Sequence, residues 1–256
     1  LTAANDGFYQ IGALTATVMT VVKKDLIAQA SDSVVFKQLR RVSNGTTFAS
    51  TSMERKYEDL TNKFAIYKGM VFNTGQLSVA LRRPVQVAWG FLGRGEPNAA
   101  RPTSSGGTGY TVPNTNAVYS SIDNVKDIIE GVVAGSMFWT NFELNWTNNL
   151  RTIEEIAMLG PEEIGTGRFQ ASGRMTAYFK DNTIIDKYLQ GLTSTLSIRM
   201  SDSLGTYIYD LPNVRFSLGS SPVPGPDQDV FLNLEFVAAV SSPTNGYTKT
   251  MSIHRL

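Results

Sequence analysis

The residue types that do chemistry are few in this chain and far apart. There is one histidine and no cysteine. A His-based triad or a thiolate or imidazole metal cluster cannot be assembled from that set. His254, close to the C-terminal Leu256, reads as a surface residue. Carboxylates are paired at Glu154-Glu155, Glu162-Glu163 and Asp227/Asp229. General acid–base work needs two carboxylates held in different environments of one pocket, and adjacent glutamates in a loop read as solvated charge. Asp227 and Asp229 stand in a Pro-Gly loop without further ligands at cation-loop spacing. Ser104–Gly109 is glycine-rich but lacks the Lys-Ser/Thr of a phosphate loop. Asn44-Gly45-Thr46 and Asn145-Trp146-Thr147 match glycosylation acceptors, which carry meaning only behind a secretory signal, and no such pattern is seen.

Two basic groups remain, Lys37/Arg40/Arg41 and Arg82-Arg83. Either could be an inter-subunit or DNA-facing patch. Pro84 directly after Arg83 favours a solvated turn for the second. Trp139, Phe142, Trp146 and Tyr178 could stack on bases or sugars, but their alternating placement favours packing. No catalytic residue, metal or cofactor is therefore expected.

Length and composition narrow the class. A chain of 256 residues can bury an ample core in one large domain or two lobes. Charged residues make up 18%, below the usual quarter or so. The 22 glycines, with abundant Ser, Thr and Asn, suit strands joined by many turns. A net charge of +1 gives no overall pull toward nucleic acid or an anionic membrane. No apolar run approaches the roughly 20 residues that span a bilayer as a helix. The first residue is Leu1 rather than Met, which reads as processing or a missing N-terminal piece.

The elements are organised around Gly167–Phe236. Met175, Ala177 and Phe179 alternate with Arg174, Thr176 and Tyr178, the period of a half-buried strand. Asp181-Asn182-Thr183 starts a short helix through Ile184, Ile185, Tyr188 and Leu189, and Gly191 stops it. A strand through Leu196, Ile198 and Met200 turns at Ser203-Leu204-Gly205 and returns through Tyr207-Ile208-Tyr209. A Pro-Gly loop precedes the last strand, Val230–Phe236. Earlier, residues 8–22 read as one strand, followed by a short helix near 24–30. Residues 46–72 alternate loosely, and 77–81 and 85–89 are two strands around Arg82-Arg83-Pro84. Residues 94–120 form an exposed loop or arm. Residues 122–133 fit helix or strand equally, 137–147 is a strand, and 154–164 reads as a loop with a helical turn.

At one fixed offset, Gly12 falls on Gly173, Thr15 on Thr176, Ala16 on Ala177, Asp25 on Asp186 and Gln29 on Gln190. This points to an internal repeat. The expected fold is mainly β: two related β-sandwich or barrel lobes, each with a short helix, at 1–93 and 131–256, joined by a loop-rich 94–130.

The order of pieces resembles the tail tube proteins of long-tailed bacteriophages. The matching residues begin with Gly167, Arg168, Gly173 and Thr176, then run through Tyr178, Phe179, Asp181, Asp186, Lys187, Tyr188, Leu189 and Gly191. Leu211-Pro212-Asn213-Val214 and Pro224-Gly225-Pro226-Asp227-Gln228-Asp229 follow in family order. Tyr67–Asn73 with Leu77-Ser78-Val79 and Trp89–Gly93 also fit, as does Trp146–Leu150 leading to Leu159-Gly160.

The resemblance implies a structural virion protein that assembles in the host cytoplasm. Its copies would form closed rings that stack into a hollow tail tube, with other tail proteins as partners and phage DNA passing through without sequence-specific binding. Two lobes per chain favour a homotrimer with pseudo-sixfold symmetry over a hexamer. Strands 12–20, 77–89, 173–180 and 229–236 are then lumen candidates. Leu14, Val18, Met175 and Phe179 are assigned to the core, which leaves Thr15, Thr17, Thr176 and Tyr178 facing the lumen. Arg94, Glu96, Arg101 and Tyr110 are inter-ring contact candidates on the arm. The alternative reading is a carbohydrate-binding or adhesive β-sandwich of a phage or cell surface. A hydrolase on a β scaffold is disfavoured by the missing His and Cys.

Overall fold

Alternation of apolar and polar residues produces the strands, and their pairing then decides the shape. The structure is a computed structural model and describes residues 10–14, 19–22, 40–57, 59–60, 63–95, 115–131, 133–134, 137–156, 158, 160–222, 225–240 and 248–255. In chain order the strands are β1 (Gln10–Leu14), β2 (Met19–Val22), β3 (Arg40–Ser43), β4 (Thr51–Lys56), β5 (Phe64–Ala80), β6 (Gln86–Leu92), β7 (Val125–Glu130) and β8 (Val133–Ala134). After them come β9 (Trp139–Thr147), β10 (Arg151–Ile153), β11 (Glu163–Gly165) and β12 (Gln170–Tyr178). The helix α1 (Thr183–Leu189) precedes β13 (Thr193–Ser201), β14 (Thr206–Ser220), β15 (Phe231–Ala238) and β16 (Ser252–Arg255). The fold is mainly β, with α1 the one helix among the described residues.

One antiparallel sheet carries most of these strands, in the order β4-β5-β9-β12-β15-β14-β13-β7-β8, with β6 on β5 and β3-β16 on β14. It curls over a single core. β9 and β14 are three places apart, roughly 14 Å in a flat sheet, yet the Trp146 and Tyr209 rings lie 6.1 Å apart. The bend falls in the long strand β14, where the register with β13 shifts between Ser194 and Leu196, opposite Leu211–Val214. Leu77, Phe142, Leu144, Met175, Leu196, Ile198, Leu211, Leu232 and Leu234 are almost wholly excluded from solvent inside the curl. β6 and β8 end the sheet without pairing to each other, so the described residues of one chain do not close a barrel.

The stretch from 167 to 236 follows its sequence pattern as β12, α1, β13, β14 and β15. Asp181 Oδ1 accepts the Thr183 N–H at 2.9 Å and starts the helix. At its other end Gly191 takes φ +64. The Leu192 N–H reaches the Lys187 carbonyl at 2.9 Å and the Gly191 N–H reaches that of Tyr188 at 3.1 Å, the paired bonds that close a helix on a left-handed glycine.

Other expectations need correction. Residues 8–22 are not one strand: β1 and β2 pair antiparallel, Gln10 opposite Val22. Alternation gives no strand direction, so it does not show that the two segments pair antiparallel. Residues 64–80 are one strand rather than two, because the shift between Phe72 and Thr74 keeps the pairing with β6 unbroken on both sides. The ambiguous 122–133 contains strand β7, fixed by its pairing with β13. The loop expected at 154–164 joins β10 to β11, and of its described residues only Glu163 and Ile164 belong to a strand, β11. The helix expected near 24–30 lies outside the described residues.

β5 and β6 join the same sheet as β9, so described parts of 1–93 and 131–256 share one sheet. The repeat aligns residues 19–22, a strand, with residues 180–183, which lead into α1.

Candidate functional site: the polar face of the sheet and its two ends

Where β5, β9, β12 and β15 run side by side, their odd and even positions divide sharply. Leu77, Phe142, Leu144, Met175, Ala177 and Leu234 fill the core. The alternate positions put Gln76, Ser78, Asn141, Glu143, Asn145, Ser172, Arg174, Thr176, Asn233 and Glu235 on the opposite face. This face is a band of amides, hydroxyls and three charges, with the apolar Val237 exposed opposite Ser172. Register places Arg174 between Glu143 on β9 and Glu235 on β15.

Glu143 is the hub of the band. Its Oε2 accepts from Arg174 Nε at 2.7 Å, and its Oε1 accepts from Gln76 Nε2 at 2.8 Å and Asn145 Nδ2 at 3.2 Å. Burial pushes this carboxyl up, but the hydrogen bonds from Arg174, Asn145 and Gln76, with the Arg174 charge, outweigh it and hold Glu143 below its ordinary value. Thr176 Oγ1 bonds Asn233 Oδ1 at 3.2 Å, and Thr140 Oγ1 donates to the Thr176 carbonyl at 3.1 Å. The Tyr178 ring leans on Phe231 with centroids 4.8 Å apart.

The band has two different ends. At one, Leu81–Val85 turns from β5 to β6 with Arg82 and Arg83 exposed and Arg82 at φ +58. Beside it opens a cavity of about 630 Å³ whose walls include Leu81, Lys126, Ile128, Met137, Phe138 and Trp139. Trp139 Nε1 is buried and has no hydrogen-bond partner among the described residues. At the opposite end stands the β10–β11 hairpin, a two-stranded sheet separate from the large one. Arg94 braces it, with Nη2 3.2 Å from Glu162 Oε2 and Nε donating to the Pro161 carbonyl at 3.4 Å.

Of the candidates named from the sequence, Thr176 and Tyr178 lie on the polar side of β12, opposite Met175. Arg94 follows β6 and is engaged within its own chain by Glu162. Thr15, Thr17, Glu96, Arg101 and Tyr110 lie outside the described residues. Among the aromatics, Phe142 and Trp146 are core residues, and Trp89 packs edge-on against Trp146 at 5.5 Å. Arg82-Arg83 form the exposed turn expected of them. His254, expected at the surface, is half-buried in β16, and burial, then the Arg41 charge, pushes its pKa down. Glu143 and Arg174 were not singled out by sequence, because their pairing depends on the register between β9 and β12. The alternation of Asn141, Glu143 and Asn145 with Phe142 and Leu144 was the available signal.

Chemically, the band can present a wetted polar surface and bind weakly. Among the described residues no group of three His, Cys, Asp or Glu side chains could hold a metal. No helix of the described residues is long and apolar enough to cross a membrane.

A search among curated proteins finds no match. A family model described as phage tail tube protein matches residues 1–238. That span takes in the whole polar band, both of its ends and the helix, and the chain belongs to the phage tail tube protein family.

Proposed function

We propose that copies of this chain close into rings, that the rings stack into the hollow tube of a phage tail, and that the polar band of β5, β9, β12 and β15 lines the channel through which DNA leaves. Family membership makes the chain a structural component of the tail. The observation that carries the lumen assignment is the charge state of the band. Its only cation over the paired stretch, Arg174, is held by Glu143 at 2.7 Å, and Glu235 is its neighbour on the other side. A channel for DNA must not neutralise phosphates, because each phosphate contact with Lys or Arg adds salt-dependent affinity. An amide- and hydroxyl-rich wall with a slight acidic excess meets that requirement.

Ring closure also answers a hazard of the fold. β6 is an edge strand that exposes Val87, Trp89 and Phe91, and unprotected edges of this kind aggregate. Pairing the edge to a neighbouring copy around a ring removes it. Three chains would suffice if each supplied two equivalent lobes. Residues 19–22 form strand β2 where the repeat expects the connection into a helix, and the single sheet shared by β5 and β9 also favours one lobe per chain and a six-chain ring. Such protomers would assemble in the host cytoplasm. Native mass spectrometry of rings and negative-stain imaging test the proposal. Rings of six chains stacked into tubes are expected; discrete monomers at high concentration, as an adhesive β-sandwich would give, would refute it.

A further inference from the structure

Stacking requires two different surfaces at opposite ends of the protomer, since a head-to-tail contact that repeats without closing is heterologous. β9 separates two such surfaces. Phe138 precedes its first residue and the β10–β11 hairpin follows its last, and nine residues of strand span roughly 30 Å. The hairpin presents Ile153, Ile156 and Met158 at 44%, 96% and 52% exposure. A large apolar side chain left almost wholly exposed at the tip of the Arg94-braced hairpin lacks a partner among the described residues. The same tip carries Glu154, Glu155 and Glu163 beyond the Glu162 that Arg94 holds.

The other end is complementary in both respects. Its cavity is walled by Leu81, Ile128, Met137, Phe138 and Trp139, with Phe138 itself 73% exposed. Lys126 shares its wall, and Arg82 and Arg83 follow the wall residue Leu81 in the exposed turn. Asp127 shares the wall but is paired with Arg199, and Asp123 lies in the turn just before Lys126. The margin thus keeps an excess of positive charge.

We infer that the β10–β11 tip of one copy seats in the Phe138 cavity of a second copy in the next ring, apolar residues entering and glutamates meeting the arginine turn. This rests on the stacked-ring reading above and names its contact. An isolated two-stranded hairpin is marginal in water, so the Arg94 brace has a use: it holds the tip in the geometry that enters the neighbour.

The chain has no cysteine, so an engineered pair reports unambiguously. Ile156→Cys and Phe138→Cys in one chain lie too far apart to bond within it. Tubes assembled from that variant under reducing conditions and then oxidised should give a ladder of cross-linked chains on a non-reducing gel, and neither single variant should. Tubes without a ladder would overturn the contact. As a second measurement, Glu154→Lys with Glu155→Lys should leave rings intact but abolish stacking, and Arg82→Glu with Arg83→Glu in the same chain should restore it. Normal tubes from the glutamate reversal alone would also overturn the contact. If the unmodified protein makes rings but never tubes, the stacked-ring reading itself fails and the contact falls with it.

Discussion

Gly173 shows how closely single residues are constrained in the polar band and the core beneath it. It lies on β12 between Leu144 of β9 and Phe236 of β15. A Cβ there would collide with the Glu143 carbonyl oxygen and with the Phe236 ring. The first obstacle is backbone and cannot swing away. Gly173→Ala should therefore destabilise by about 1–3 kcal/mol, lowering the melting temperature by roughly 2–4 °C per kcal/mol for a chain of this size. An unchanged melting curve would show that β9 and β12 are not packed as described. Asp210 of β14 makes a second, pH-dependent case. Burial pushes its carboxyl up to about 6. A folded pKa above the unfolded value means the folded state resists ionisation, so stability declines as pH rises from about 4 through about 6. Asp210→Asn should remove that decline and be the more stable protein above pH 6, by on the order of 2 kcal/mol. His254 titrates in both proteins, so the difference between the two pH profiles isolates Asp210. Parallel profiles would contradict the assignment.

At the scale of elements, α1 is tied to the sheet by a buried ion pair. Lys187 Nζ lies 2.8 and 3.0 Å from the two carboxylate oxygens of Glu130, and Glu130 is only 5% exposed. Removing the cation alone leaves a buried carboxylate without compensation, so Lys187→Met should cost about 3–5 kcal/mol. The double variant Lys187→Met with Glu130→Leu should recover most of it, since an apolar pair of similar volume carries no desolvation penalty. Chemical denaturation of the three proteins checks this; equal losses in the single and double variants would refute it. How well elements can be read from sequence depends on whether their determinants are local. α1 is legible because Asp181, its apolar spacing and Gly191 all lie within one short stretch. β9 and β12 are legible from alternation, which also puts Thr176 and Tyr178 opposite Met175. The reversal between β1 and β2, the β10–β11 hairpin and the continuity of β5 through Asn73 depend on which strand pairs with which. The Glu143–Arg174 pair and the joining of the two ends of β9 to different surfaces depend on register across the sheet. None of that is local, so spacing along the chain does not contain it.

For the whole molecule, the orientation of one sheet face decides what lines the channel. Glu143 keeps Arg174 from offering an open guanidinium along the channel. Glu143→Gln removes the charge and keeps the shape of the side chain, so assembled tubes of this variant should retain DNA more strongly than the unmodified protein. That retention should fall steeply with added salt. Equal retention by both proteins, measured by filter binding across a salt series, would argue that Arg174 does not face the channel. The most direct measurement is a reconstruction of the assembled tube, computed without imposed symmetry, at a resolution that traces β9 and β12. The expected result is a hollow tube whose inner wall carries Gln76, Asn141, Glu143, Arg174, Thr176 and Asn233. A tube with those residues on its outer surface or buried between subunits, or a particle with no channel, would contradict it.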